Sequence, residues 1–169
     1  MSAPRMAPLV YWGRWNTSYQ NVNDTTQTGE MKGLWVGGRE TPSKVVEENL
    51  DATGFTGTFK GDAHGLRNQS DFLNGDSQLN VDFGKDAFEC EFDFSDNGGP
   101  LMKGEGNIDA DRLKGKLKHI SNETLSDEKP NTVNGTFFGP NADSVGGSFE
   151  GGTQEGNQYQ GVFGAERQP

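Results

Sequence analysis

Between residues 79 and 94 apolar and polar side chains alternate in two short runs that a tight turn must join. Leu79, Val81 and Phe83 share one parity of the first run, and Phe88, Cys90, Phe92 and Phe94 share one parity of the second. A period of two puts such a set on one face of a strand and scatters it around a helix. The connection Gly84-Lys85-Asp86 is too short for a crossover between parallel strands, so the two runs must return antiparallel. The same grammar recurs along the chain. Phe55, Gly57, Phe59 and Gly61 alternate within residues 55–63. Residues 101–108 and 112–120 flank the turn Asp109-Ala110-Asp111, and three further runs occupy residues 132–139, 145–150 and 159–165. In the 112–120 run the alternation places Leu113, Gly115, Leu117 and His119 on one face, and Arg112, Lys114, Lys116 and Lys118 on the other.

Of about ten runs, eight read as convincing strands. No strand–helix–strand alternation is present, so the expected fold class is all-β: a single eight-stranded antiparallel β-barrel with N-terminal extra strands or loops. Closure removes the exposed edges of a sheet of this size and leaves an interior that side chains fill. Near the start, Leu9-Val10-Tyr11-Trp12-Gly13-Arg14-Trp15 reads as a strand, residues 16–28 as a polar loop, and residues 31–36 as a short apolar run ending at Gly37-Gly38. Only residues 43–50 have helical character. The expected organisation is a linker remnant over residues 1–8 and one barrel domain over residues 9–169.

Hydrophobic residues make up just 30% of the chain, a level at which disorder competes with folding. The 11 Phe, 3 Trp and 3 Tyr, spread through the alternating runs, decide the matter for a folded core. A net charge of −10 repels phosphate backbones, so nucleic acid is excluded as a partner. No run approaches the ~20 apolar residues of a membrane helix, and membrane insertion is not expected. A small domain without a sticky, uncharged surface is expected to be a monomer.

Catalytic chemistry lacks its parts. The two histidines, His64 and His119, have no serine elbow or cysteine pair to work with, and zinc needs more His and Cys ligands than the chain holds. Cys90, on the Phe face of its strand between Glu89 and Glu91, reads as a small buried hydrophobe rather than a thiolate nucleophile. The chain is therefore expected not to be an enzyme. Candidate binding residues come from two segments: Met31 and Trp35 in the Gly-flanked apolar run, and His64, Arg67 and Phe72 in what reads as a loop over residues 61–75. Exposed Trp, Phe and Arg are the residue types that anchor interfaces. Packing onto the barrel is the competing expectation, and for Trp35 the favoured one. The basic row Arg112, Lys114, Lys116 and Lys118 reads as a solvated strand face, with a polyanion site as the alternative.

The last third of the chain carries a motif. Val133-Asn134-Gly135-Thr136-Phe137-Phe138-Gly139-Pro140-Asn141-Ala142 is followed by Val145-Gly146-Gly147-Ser148-Phe149 and, at the end, by Gly161-Val162-Phe163-Gly164-Ala165. This resembles the closing motif of the transferrin-binding protein B β-barrel family, with convincing likeness over residues 55–167. The resemblance implies a barrel at the bacterial cell surface or secreted, without catalysis. It implies a domain that binds a host or environmental protein or glycan of unspecified identity. Some members are outer-membrane lipoproteins; this sequence has no lipobox cysteine, so any anchor is expected upstream. Two alternatives accompany the binding reading: a C-terminal folding and export module of a longer secreted protein, and a haem-capturing protein that uses His64 as an axial ligand. No other cofactor is expected.

Overall fold

The computed structural model describes residues 10–20, 23 and 28–169; the proposed linker over residues 1–8 lies outside them. The first two strands, β1 (Val10–Gln20) and β2 (Thr28–Gly38), pair only with each other, from Val10↔Gly38 to Gln20↔Thr28. Residues 16–20 and Thr28, expected in a loop, thus belong to a long ribbon. Their Asn, Thr and Gln content disguised strands that have no core of their own to face. After a short helical turn over Ser43–Val45 and a π-helical stretch over Val46–Asp51, the alternating runs follow. These are β3 (Thr56–Arg67), β4 (Asp71–Asp82), β5 (Ala87–Asp93), β6 (Leu101–Asp109), β7 (Arg112–Ile120), β8 (Thr132–Phe138), β9 (Ser144–Gly152) and β10 (Gln158–Arg167). They close into the expected eight-stranded antiparallel barrel, with β10 pairing back to β3.

The inward parity of each strand fills the barrel with aromatic rings. Phe92 stacks on Phe149 with centroids 4.4 Å apart and meets Phe163 at 5.0 Å. Toward the other mouth Phe83 and Phe137 approach to 5.1 Å, flanked by Phe55 and Phe59. Burying each ring contributes roughly 1.5–3 kcal/mol, which is how so polar a chain folds. Of the Phe137-Phe138 pair, only Phe137 joins this interior cluster; Phe138, of opposite parity, is buried on the outside.

Both mouths are covered. Buried Val46, with Leu50 and Phe55, packs over one. At the other, Glu123 from the 121–131 loop accepts hydrogen bonds from Tyr159 Oη (2.5 Å), Thr153 Oγ1 (3.2 Å) and Asn157 Nδ2. Burial, reinforced by this carboxylate, pushes the Tyr159 hydroxyl up to about 12.

The outer parity carries charge. β6 lies between β5 and β7, and the rows are matched by Lys103–Glu91 at 3.3 Å, Lys118–Glu105 at 3.5 Å and Lys114–Asp109 at 3.0 Å. Such exposed pairs contribute less than about 1 kcal/mol each, but a charged outer wall is one for water and not for lipid. No helix among the described residues is long and apolar enough to cross a membrane. A bulge where β6 and β7 change register at Lys103/Gly104 breaks the expected inward set of β7. Leu117 and Ile120 point in, while His119, expected beside Leu117, is exposed because the extra residue shifts its parity. Cys90 is buried as expected, and desolvation pushes its thiol up to about 12.

Candidate functional site

The β1–β2 ribbon lies across the outside of the barrel, against β9 and β10. Its alternation divides it into two faces. Toward the barrel point Val10, Trp12 and Arg14 of β1, with Lys32, Leu34 and Val36 of β2. The wall beneath is made to receive them: Leu66, Val162 and Phe138 point outward yet are buried. At two places the wall has no side chain at all. A Cβ placed on Gly164 would meet Trp12 Cε3 at 2.1 Å, and one on Gly146 would meet Val10 and Val36 Cγ2 at 2.8 and 3.1 Å. Glycine lets the ribbon approach the sheet backbone this closely.

Farther along, Arg14 Cζ sits 4.7 Å and Lys32 Nζ 5.4 Å from the centroid of the Phe72 ring, a cation–π arrangement. Lys32 Nζ also donates to Ser70 O at 2.7 Å, and Arg14 donates to Asn74 Oδ1 at 3.4 Å. His64 Nδ1 lies 3.0 Å from the same Asn74 Oδ1. His64 is therefore not in a loop: β3 and β4 extend to Arg67 and Asp71, and His64 pairs with Asn74 on the outer wall. Gly61, Gly65, Asn74 and Gly75 sit within the strands, and only residues 68–70 form the turn between them, with Asn68 at φ 52°.

The opposite face of the ribbon is open to solvent. Tyr11, Trp15 and Trp35 are 48%, 43% and 47% exposed, and they are the only large exposed hydrophobic side chains among the described residues. The register sets Trp35 across from Gly13 and Trp15 across from Gly33. The Trp15 ring occupies the space above Gly33, and the Trp35 indole lies 3.1 Å from where a Gly13 Cβ would be. Each indole thus covers a cross-strand glycine, a pairing that stabilises edge glycines in sheets and leaves a continuous aromatic strip. The expectation that Trp35 packs onto the barrel is corrected: residue 35 has the parity that faces away from it.

The predicted residues separate into three places. His64 and Phe72 meet at the ribbon–barrel seam. Arg67 stands at the barrel mouth, with its Nε 3.5 Å from Asp71 and its guanidinium beside Tyr159. Trp35 lies on the outer strip. Met31 pairs with Thr17 in the ribbon, and its side chain lies outside the described residues. Sequence reasoning missed Tyr11, Trp15, Arg14 and Lys32, although the parity of Tyr11-Gly13-Trp15 against Trp12-Arg14 held the signal. A concavity of about 1070 Å³ lies elsewhere, over the outer faces of β3–β7. Its lysines and carboxylates largely neutralise one another, and no aromatic strip borders it. Among the described residues no group of three or more His, Cys, Asp or Glu side chains gathers for a metal.

Residues 4–167 match the model of the C-lobe and N-lobe β-barrels of transferrin-binding protein B. The chain belongs to this family. The match also spans residues 16–50, which lie outside the likeness over residues 55–167 read from the sequence. Members of the transferrin-binding protein B barrel family are binding proteins of the bacterial surface, and the cell surface or exterior is the location of this domain.

Solved structures agree on the fold. A variant of the transferrin-binding protein B vaccine antigen from Haemophilus parasuis superposes with a TM-score of 0.67 at 19% identity, covering 96% of this chain and 34% of that one. The N-lobe of lactoferrin-binding protein B from Moraxella bovis gives 0.59 at 13% identity, covering 98% and 78%. HpuA from Kingella denitrificans, solved in complex with human haemoglobin, gives 0.56 at 16% identity, covering 84% and 54%. The chain spans about a third of the transferrin-binding protein B chain it matches. No curated protein sequence matches the chain.

Proposed function

We propose that this domain is a non-catalytic, monomeric binding module that captures a host iron-carrying protein on the outer face of its ribbon. The observation that carries the reading is the aromatic strip of Tyr11, Trp15 and Trp35, the only exposed large hydrophobic side chains among the described residues. Clustered Trp and Tyr anchors on a rigid ribbon are what interface hot spots use. Trp35 belongs to the contact surface itself. His64 and Phe72 hold the ribbon at its seam through Asn74, Arg14 and Lys32, and Arg67 borders the neighbouring barrel mouth. Similarity supports the partner class: the related proteins named above are binding proteins for transferrin and lactoferrin, or were solved on haemoglobin.

The test is retention of human transferrin, lactoferrin and haemoglobin, each in its iron-loaded form, on the immobilised domain. One of the three is expected to be retained by the wild type. The Trp15→Ala/Trp35→Ala double variant should weaken retention at least about tenfold, since each hot-spot truncation costs about 2 kcal/mol or more. Equal retention by both forms removes the strip from the site. No retention at micromolar domain would favour the folding-and-export reading, with binding carried by other parts of the polypeptide.

A further inference from the structure

A glycine inside a strand weakens it, because it loses more conformational freedom than any other residue and has no side chain to pack. Such a glycine marks a bulge, a tight bend, or a place where another backbone or a ligand comes close. The close approach is visible at many positions of this chain. A Cβ on Gly61, Gly75 or Gly147 would lie 2.0, 2.1 or 2.0 Å from a carbonyl oxygen of the adjacent strand. Gly161 makes room for Phe149, Gly164 for Trp12, and Gly13 and Gly33 for the indoles of Trp35 and Trp15. Gly37 is unlike all of these, since a Cβ there would meet no atom within 4 Å. Its backbone does not call for glycine either. The positive-φ glycines among the described residues are Gly54, Gly98, Gly139 and Gly156, and the pairing of β1 with β2 runs from end to end without a bulge. Of the uses a strand glycine has, the approach of something outside the chain is the one left.

Residue 37 has the outward parity of Trp35, and the register sets it across from Tyr11. Trp15 lies over Gly33 and Trp35 over Gly13, but Tyr11 leaves Gly37 bare. The aromatic strip therefore ends in a notch, floored by the Gly37 backbone and flanked by Tyr11 and Trp35. Cross-strand Cβ positions are about 4.5–5.5 Å apart, and two residues along a strand span about 6.6 Å. A single side chain seated on Gly37 would thus reach both rings and the backbone between them. Its chemistry follows from what surrounds it. Tyr11, Gly13, Trp15, Gly33, Trp35 and Gly37 carry no charge, in a chain of which 24% is charged. A charged group entering the notch would lose water and gain no counter-ion, whereas an apolar one loses nothing.

We propose that Gly37 is the specificity-determining residue of the strip: an uncharged, apolar side chain projecting from the partner protein seats on its bare backbone, between Tyr11 and Trp35. The proposal rests on the reading of the strip as a site for a host protein, and it adds a consequence of its own. At residue 37 binding and stability oppose each other. Any larger side chain there suits the strand better than glycine and closes the notch.

Gly37→Val is the test. Valine favours a strand and its methyl groups enter open space, so β1 and β2 amides should exchange no faster than in the wild type. The same methyl groups fill the notch, and retention of the host protein should fall at least about tenfold. A second measurement needs no host protein. N-acetyl-leucinamide is titrated at millimolar concentration against the isotope-labelled domain. The Gly37 amide and the Trp35 indole N–H signals should shift in the wild type and stay in place in Gly37→Val, and the lysine and glutamate analogues of the probe should move neither. Faster ribbon exchange or undiminished retention in Gly37→Val overturns the proposal, as do leucine-probe shifts that are absent or that persist in the variant. If Trp15→Ala/Trp35→Ala weakens retention and Gly37→Val does not, the notch falls and the strip remains the site. Retention lost on enzymatic removal of the partner's glycans would give the notch to a sugar, and self-association of the domain lost in Gly37→Val would give it to a second copy; either overturns the proposal.

Discussion

Replacing Gly164 by alanine should loosen the ribbon and spare the barrel. Gly164 points outward, and a Cβ there would lie 2.1 Å from Trp12 Cε3. Carbon atoms in contact sit ~3.5–4.0 Å apart, so the indole must retreat by about 1.5 Å, more than enough to forfeit much of its dispersion contact with the wall. Overpacking of this kind costs about 1–3 kcal/mol, a factor of about 5–150 in an equilibrium constant. The barrel interior is untouched, because the added methyl group faces the ribbon. A two-stranded ribbon is at best marginal without support, so the whole penalty should appear in its local opening. Native-state hydrogen exchange should show β1 and β2 amides exchanging faster by that factor, with tryptophan emission shifted to the red and the thermal midpoint of the barrel nearly constant. Gly37→Ala is the control, since a Cβ there meets nothing within 4 Å. If Gly164→Ala instead lowers the barrel midpoint and leaves ribbon exchange unchanged, Gly164 serves closure between β9, β10 and β3, and Trp12 is not what docks the ribbon.

Phe92→Ala removes the ring that joins Phe149 and Phe163 and should cost about 3–5 kcal/mol, lowering the thermal midpoint by roughly 6–20 °C for a domain of this size; calorimetry checks it, and a fall under ~3 °C would show that the two aromatic clusters are not one cooperative core. Asp51 has a buried Oδ1 without a hydrogen-bond partner among the described residues, and burial, then Asp86 and Glu47, raises its pKa. A raised carboxyl pKa means that the folded state holds the proton more tightly than the unfolded chain. The resulting destabilisation is absent below the unfolded value, grows as pH rises through the folded value, and is complete at neutral pH. Asp51→Asn should therefore stabilise the domain at pH 7 and change little near pH 3, as read by urea unfolding at the two pH values; an equal effect at both would remove the charge from the explanation.

The parts of the fold that the alternation made legible are those with a core to face. Phe88, Cys90, Phe92 and Phe94 share a parity because only one side of β5 meets the other rings, and the three-residue turn before them leaves one possible return. The register irregularity at His119 was invisible for the complementary reason: a bulge is a decision between neighbouring strands, and no single run contains it. The ribbon escaped in another way. Asn16, Thr17, Ser18 and Gln20 are polar residues of both parities, so the sequence past Trp15 carries little alternation. A strand without an alternating apolar set has no period to read.

The binding surface was half legible for the same reason that it is a surface. Trp12, Trp15 and Trp35 are equally hydrophobic, and composition cannot say which is buried. Parity within β1 separates Trp12 from Trp15, but which of the two faces the barrel depends on Gly164, more than a hundred residues away, where a missing side chain makes room for an indole. The same dependence explains why Trp35 was expected inside: without the Gly13↔Trp35 register, an exposed indole has no visible support. Glycines in this chain are thus instructions from one segment to another. Gly164 and Gly146 tell the ribbon where to lie, and Gly13 and Gly33 let its outer indoles lie flat. Once the inner face is spent on docking, the outer face has no fold left to stabilise, and that is the physical case for assigning it to a partner.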